Sequence, residues 1–255
     1  MAELDGRPVD PAQLQALALT NYGHFTTMLV TDGLVRGLEL HLARLARDCR
    51  ALFGAELDLE RVRAHARRAA PAVGAAVVRV TVFDPALDVG TIGAPAHPRV
   101  LVTTRPAGAA EPPPLRVRTV RYEREMPEVK GVGLFGALHH RREAQAAGFD
   151  DALFADRTGA WSEGGTWNVG FVREGVVVWP EARQLHGVTM ELVRSLGPCR
   201  TAVVRDAAGF EAAFATNAAV GLRPLAAVDS VRLAPVHPVV EALREAYATL
   251  PGEPL

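Results

Sequence analysis

The chain has 255 residues, 49% hydrophobic and 22% charged, enough to bury a sizeable core in one large domain or two small ones. A formal net charge of −1 excludes a global footprint for nucleic acid or an anionic membrane. Two cysteines, Cys49 and Cys199, lie far apart without paired spacing, which fits a reducing cytoplasm and argues against a disulfide scaffold or a zinc site.

The opening stretch, MAELDGRPVDPAQLQ, shows neither the basic nor the apolar region of a signal peptide, and no apolar run approaches ~20 residues. A cytoplasmic protein without a membrane span is expected. From His24 to Leu40, two apolar β-rich runs flank Asp32-Gly33, a strong hairpin signal. Leu42, Leu45, Cys49 and Leu52 then repeat at helical spacing, with Gly54 placed to end the helix. DLERVRAHARRAAP predicts a second helix, capped by Asp58 and stopped by Pro71. VVRVTVF alternates Val78, Val80 and Val82 with Arg79 and Thr81, predicting a half-buried strand, and Arg99–Thr104 predicts another. These elements make an α+β unit over residues 1–105.

Four prolines within RPAGAAEPPPLR mark a stiff linker, placed at 106–115, before a second domain over 116–255. There a helix is expected in LFGALHHRREAQAAG, ending at Gly148. Short strands follow: DALFAD, AWSEGG, WNVGFV and VVVWP, with turns at Thr158-Gly159 and Glu174-Gly175. A helix starting near Thr189, a strand in TAVVRD, a helix in FEAAFATNA and a C-terminal helix in PVVEALREAYATL complete the pattern.

Lys130 is the single lysine; the other 27 of the 28 basic residues are arginine. Arginine keeps its proton in proteins, whereas a lysine amine can be deprotonated and can form a Schiff base with a carbonyl. A leftover surface lysine in an arginine-biased chain is the plain alternative. Glu163 stands in an apolar strand region and needs a partner there, unless it faces solvent. Gly187-Val188-Thr189 opens a helix, where free N–H groups suit an anion or a threonine simply caps. Arg44 borders the apolar stripe of its helix. An amine, an acid, an anion-binding helix start and an arginine together suit pyridoxal 5'-phosphate, whose aldehyde, ring nitrogen and phosphate need such partners.

Matching stretches cover nearly the whole chain: FTTMLVTDGLVRGLELHLARL, then the run from VKGVGLF through ALFADRTGAWSEGGTWNVGFV, WPEARQLHGVTMELV and FATNAAVGLRPL. In these the chain resembles the class IV pyridoxal-phosphate enzymes, which include branched-chain and D-amino-acid aminotransferases and 4-amino-4-deoxychorismate lyases. The resemblance implies a two-domain α/β fold: a small N-terminal α+β domain, a larger domain with a pseudo-barrel, and the cofactor in the cleft. It implies that Lys130 holds the cofactor and shuttles the α-proton, that Glu163 pairs with the ring nitrogen, and that Arg44 binds the phosphate. Val188 and Thr189 would add phosphate contacts, Thr216 and Asn217 would form a second phosphate- or substrate-side loop, and Asn168 would give structural support. Tyr22, His24, Thr26 and Phe135 fall in the substrate pocket. No metal is implied. The expected substrates are an amino acid and a 2-oxo acid, and the expected assembly is a homodimer.

Several positions depart from the family pattern. The tyrosine usual in branched-chain enzymes is Phe135. The Y-G-D-G-x-F turn is shortened to NYGHFTT, G-x-T-R reads GVTM with Met190 for arginine, and the aromatic after N-[ILV] is Gly170. Aminotransfer is the leading expectation. A lyase releasing pyruvate is the alternative, and a non-catalytic cofactor-binding protein a further one.

Overall fold

A computed structural model describes residues 2–108 and 111–255. Ala109 and Ala110, inside the expected linker, lie outside the described residues. The chain falls into two compact units. The first gathers Met1–Gly108, Val129–Gly133 and Pro251–Leu255, and the second Ala109–Glu128 and Leu134–Leu250.

The first unit starts with strands β1 (Ala2–Leu4) and β2 (Arg7–Pro8), paired through a turn at Asp5-Gly6 where both residues have positive φ. Helix α1 (Pro11–Thr20) was not evident from periodicity, but its start has a local cause. The Asp10 carboxylate accepts from Ala12 N at 2.8 Å, the Gln13 side chain accepts from Asp10 N at 3.1 Å, and Pro11 presets the first turn. Strands β3 (His24–Thr31) and β4 (Leu34–Val35) form the expected hairpin, with Asp32 and Gly33 both at positive φ. Helix α2 (Leu38–Phe53) ends at a left-handed Gly54, and α3 (Leu59–Ala69) is capped by Asp58, whose carboxylate accepts from Arg61 N at 3.0 Å. Strands β5 (Ala75–Phe83) and β6 (Arg99–Pro106) follow. The sheet order is C-terminal strand (Glu253–Pro254), β4, β3, β5, β6, β1, β2. Met28, Val78, Val80, Leu45, Cys49 and Val62 meet in its core. Burial of β5 extends to both faces, not the one expected: Val77 and Thr81 are as enclosed as Val78 and Val80.

The second unit opens with β7 (Leu115–Arg121), an alternating strand overlooked beside the proline run. Helix α4 (Phe135–Ala146) is followed by β8 (Asp151–Ala155), β9 (Trp161–Gly164), β10 (Asn168–Arg173) and β11 (Val176–Pro180). Then come α5 (Val188–Arg194), β12 (Cys199–Ala202), β13 (Ala212–Asn217), β14 (Gly221–Val228), β15 (Val231–Arg232) and α6 (Pro238–Thr249). Strands β10, β13, β14, β7, β8 and β9 run in a closed ring, because β9 returns to β10 through the pair Glu163–Asn168. Trp161, Trp167, Phe171, Val117 and Leu225 fill one core; Trp179, Phe214, Val193 and Leu243 form another beneath α5 and α6.

Two expectations in this unit are corrected. FEAAFATNA is not helical; its Ala212–Asn217 stretch is β13, hydrogen-bonded to β10 on one edge and β14 on the other. Ring closure overrides the alanine-rich local preference. TAVVRD supplies only the end of β12, and the chain leaves the sheet after Ala202.

The unusual Gly170 has a steric reason. It pairs directly with Phe214 on β13, and a Cβ at Gly170 would lie 2.6 Å from the Phe214 ring. The aromatic missing from β10 is thus supplied by its neighbour. Gly170→Val is expected to cost about 1–3 kcal/mol of stability through overpacking. Urea denaturation should show a lower midpoint with an unchanged slope.

Candidate active site

In the first unit, Val129–Gly133 lies against the edge of β3 that β5 leaves open. Phe25 N donates to Lys130 O at 2.9 Å, Val132 N donates to Gly23 O at 2.9 Å, and His24 bridges Gly131 antiparallel. Asp48 on α2 takes the remaining backbone group, accepting from Lys130 N at 3.0 Å. The Lys130 amine sits 4.9 Å from the centre of the Phe25 ring, which Arg79 also covers at 3.6 Å.

Arg44 is buried on α2, and burial pushes its guanidinium down to about 10, the nearby Asp48 carboxylate opposing the fall and Arg47 adding to it. Arg44 Nη2 donates to Thr26 Oγ1 and, at 3.4 Å, to His41 Nδ1. An arginine can only donate, so His41 Nδ1 is an acceptor here. The Thr26 hydroxyl, 2.7 Å from the same nitrogen, donates to it, and the imidazole proton rests on Nε2. Burial, then Arg44 and Lys130, holds His41 well below the ordinary histidine value. His24 is 0% exposed, and both its ring nitrogens lack a partner. Burial, reinforced by Arg44 and Arg47, pushes it down to about 4. Tyr22 points elsewhere: its hydroxyl donates to Leu52 O at 2.9 Å and its ring meets Phe53 edge-on.

In the second unit, Glu163 lies buried at the ring closure. Its Oε1 accepts from Arg124 Nε at 2.9 Å and its Oε2 from Leu185 N at 3.3 Å. Asn168, its partner across the strands, donates to Leu185 O at 2.7 Å and to Gln184 Oε1 at 3.2 Å. This fixes the loop leading into α5. Gly187 precedes that helix so closely that a Cβ would fall 2.1 Å from Asn168 Oδ1. Val188 and Thr189 are the first, buried residues of α5, which packs on β13. The hydroxyls of Thr189 on α5 and Thr216 on β13 are both buried without a partner. Asn217 instead spends its Oδ1 on a turn, accepting from Ala219 N and Val220 N, each at 3.0 Å. Phe135 begins α4 with 82% of its surface exposed, stacked parallel to His139.

Lys130, Arg44, His24 and Thr26 therefore share the first unit, and Glu163, Val188, Thr189 and Thr216 the second. Sequence reading missed His41, Asp48 and Arg124. Residues 41, 44 and 48 form a polar row at helical spacing beside the apolar stripe of α2, a signal visible in the sequence. Arg124 carried no comparable signal. Among the described residues, His139, His140 and Glu143 form one group with metal-ligating side chains close together, on the partly exposed face of α4. Among the described residues, no helix is long and apolar enough to cross a membrane.

Residues 23–228 match the model of the family described as amino-transferase class IV. The chain belongs to the class IV aminotransferases. It is accordingly an enzyme of the pyridoxal-phosphate-dependent aminotransferase class. Solved structures agree on the fold. The branched-chain aminotransferase of Escherichia coli has a TM-score of 0.86 at 18% identity, with 98% of this chain and 93% of that one covered. The branched-chain aminotransferase of Thermoproteus uzoniensis, solved with norvaline, has a TM-score of 0.85 at 22% identity, covering 97% and 93%. A hypothetical aminotransferase from Mycobacterium tuberculosis, in its PLP-bound form, has a TM-score of 0.82 at 20% identity, covering 98% of each chain. A comparison with curated protein sequences finds no match.

The side chains present in this class IV enzyme fit the cofactor. An amine, a buried carboxylate and a buried guanidinium are there, and among the described residues His24, Arg44 Nε, Trp179 Nε1, Thr189 Oγ1 and Thr216 Oγ1 are buried with unmet hydrogen bonds. Unmet buried polar atoms are costly, and a bound ligand or a water molecule satisfies them.

The two depressed histidines also set a pH dependence. The unfolded chain takes up protons near 6.5, whereas folded His24 resists until about 4. The contribution of His24 is complete above pH 6.5 and is lost as pH falls from there toward 4, and His41 acts in the same direction. Unfolding free energies measured at pH 7, 6 and 5 should decline less steeply in His24→Leu than in the parent.

Proposed function

We propose that the protein moves an amino group between an amino acid and a 2-oxo acid, with Lys130 as the covalent attachment residue and carrier of the α-proton. The observation that carries this reading is Lys130 itself. It is the sole lysine, its peptide is hydrogen-bonded on both sides, and it falls within the segment matching the family. Pyridoxal phosphate, when bound, supplies an electron-accepting ring that stabilises charge at the substrate α-carbon.

The chain's own groups then divide the work. Arg44 offers a guanidinium fixed by Thr26 and His41, suited to a dianionic phosphate. Thr189 and Thr216 offer hydroxyls with no other partner, and Val188 begins a helix whose first N–H groups face outward from its end. Glu163, oriented by Arg124 and Leu185 N, offers a carboxylate to hold a proton on the ring nitrogen. His24, neutral and unpartnered, is a candidate for orienting substrate. Asn217 fits a supporting role better than a direct contact, since its carbonyl closes a turn. A homodimer, as the resemblance implies, and a cytoplasmic location, as the two unpaired cysteines suggest, belong to this proposal.

The lyase reading keeps one observation in its favour: Phe135 has no hydroxyl to offer the cofactor. Release of pyruvate from a single substrate, without a 2-oxo acid acceptor, would favour it.

Borohydride reduction followed by peptide mapping should place the pyridoxyl group on Lys130. Lys130→Ala should bind the cofactor only non-covalently, and a persisting covalent adduct in that variant would end the proposal. Glu163→Gln keeps the shape but removes the charge. Exchange of the substrate α-proton in heavy water should then slow by at least ~100-fold, the scale for losing one electrostatic stabiliser of a transition state. Unchanged exchange would make Glu163 a barrel residue alone.

A further inference from the structure

We propose that Asp48 is the positioning residue for Lys130. The inference rests on the reading of Lys130 as the attachment residue.

Asp48 is 0% exposed on α2. Its Oδ2 accepts from the Lys130 backbone N at 3.0 Å across a separation of 82 residues. Its Oδ1 accepts from Arg47 Nε at 3.0 Å and from Arg47 Nη2 at 2.8 Å, so the carboxylate cannot rotate without losing both bonds. The opposite side of the same residue is held by β3, where Phe25 N donates to Lys130 O at 2.9 Å. Lys130 is followed by Gly131 and, two residues further on, Gly133. Glycines leave this stretch little stiffness of its own. The direction in which the amine leaves the backbone is therefore set by what grips the peptide. On the N–H side that grip is Asp48.

The same carboxylate is the one that opposes the destabilising burial of Arg44. One acid thus holds the lysine peptide and offsets the charge of the arginine assigned to the phosphate. A buried aspartate that only ties α2 to a neighbouring segment would protect the Lys130 amide without changing how the amine reacts. The two roles are separable by measurement.

The single lysine makes the test direct. Protein grown with 15N-lysine gives one backbone amide signal, that of Lys130. In cofactor-free protein, Asp48→Ala is expected to speed exchange of that amide at least about tenfold, the scale of one charge-assisted hydrogen bond. Asp48→Asn, which keeps an acceptor oxygen, should restore most of the protection. The rate of covalent capture of pyridoxal phosphate, trapped by borohydride, should fall by at least about tenfold in Asp48→Ala and recover in Asp48→Asn. An equally protected amide in Asp48→Ala overturns the proposal. So does a loosened amide with an undiminished capture rate, which leaves Asp48 a purely structural tie. If Asp48→Ala does not fold, the amide proton shift of Lys130 in Asp48→Asn decides: an upfield move supports the charged acceptor, and no move overturns it. Covalent capture persisting in Lys130→Ala would instead overturn the attachment reading, and the amide result would stand apart from it.

Discussion

Closure of the six-strand ring is the constraint on which the second unit depends. An open sheet of this size would leave two edges, each a row of unmet backbone groups. Here β9 turns back to β10 through the Glu163–Asn168 pair. That forces a carboxylate and an amide side by side into a buried seam, where each must find partners. Asn168 takes them from the loop before α5, and Glu163 from Arg124 and Leu185 N. The seam therefore fixes the start of α5, and α5 carries Val188 and Thr189. Barrel closure and the placement of candidate cofactor groups are one event.

The first unit solves a different problem, the burial of charge. Arg44 and Asp48 occupy the apolar side of α2, with His41 and His24 close by. Burial alone would favour neutral forms throughout. The arginine stays charged because guanidinium is so strong a base and Asp48 lies near it. The histidines yield instead, and both are neutral. Neutral imidazole can still accept, and His41 does so from the Thr26 hydroxyl, which locks Thr26 in place for Arg44. Proton inventory here is a means of fixing side-chain direction.

Much of this is legible in the sequence itself. Asp32-Gly33 announces its hairpin and Asp58 its helix. The misreadings have physical causes. Helix α1 buries no face, so periodicity could not reveal it, although Asp10-Pro11 marked its start. β13 is rich in alanine and pairs on both edges, so neither propensity nor alternation identified it. The partners of Glu163 and Lys130 lie 39 and 82 residues away, at distances in sequence where no local rule operates. Gly170 looked like a loss, yet it is one half of an exchange with Phe214 that only strand register discloses.

The strand Glu253–Pro254 completes the first sheet, and Glu253 Oε1 accepts from Leu38 N at 2.8 Å, satisfying the start of α2 where no side chain of its own does so. Those two residues are 215 apart in sequence. During synthesis the ribosome makes the opening segments of this unit first and its closing strand last, after every residue of the second unit. The helix bearing Arg44 and Asp48 waits through that interval with its first turn uncapped. Chain growth thus imposes an order: β14, the last strand of the ring, is made before Glu253, so the ring has all its strands before the first turn of α2 has its acceptor.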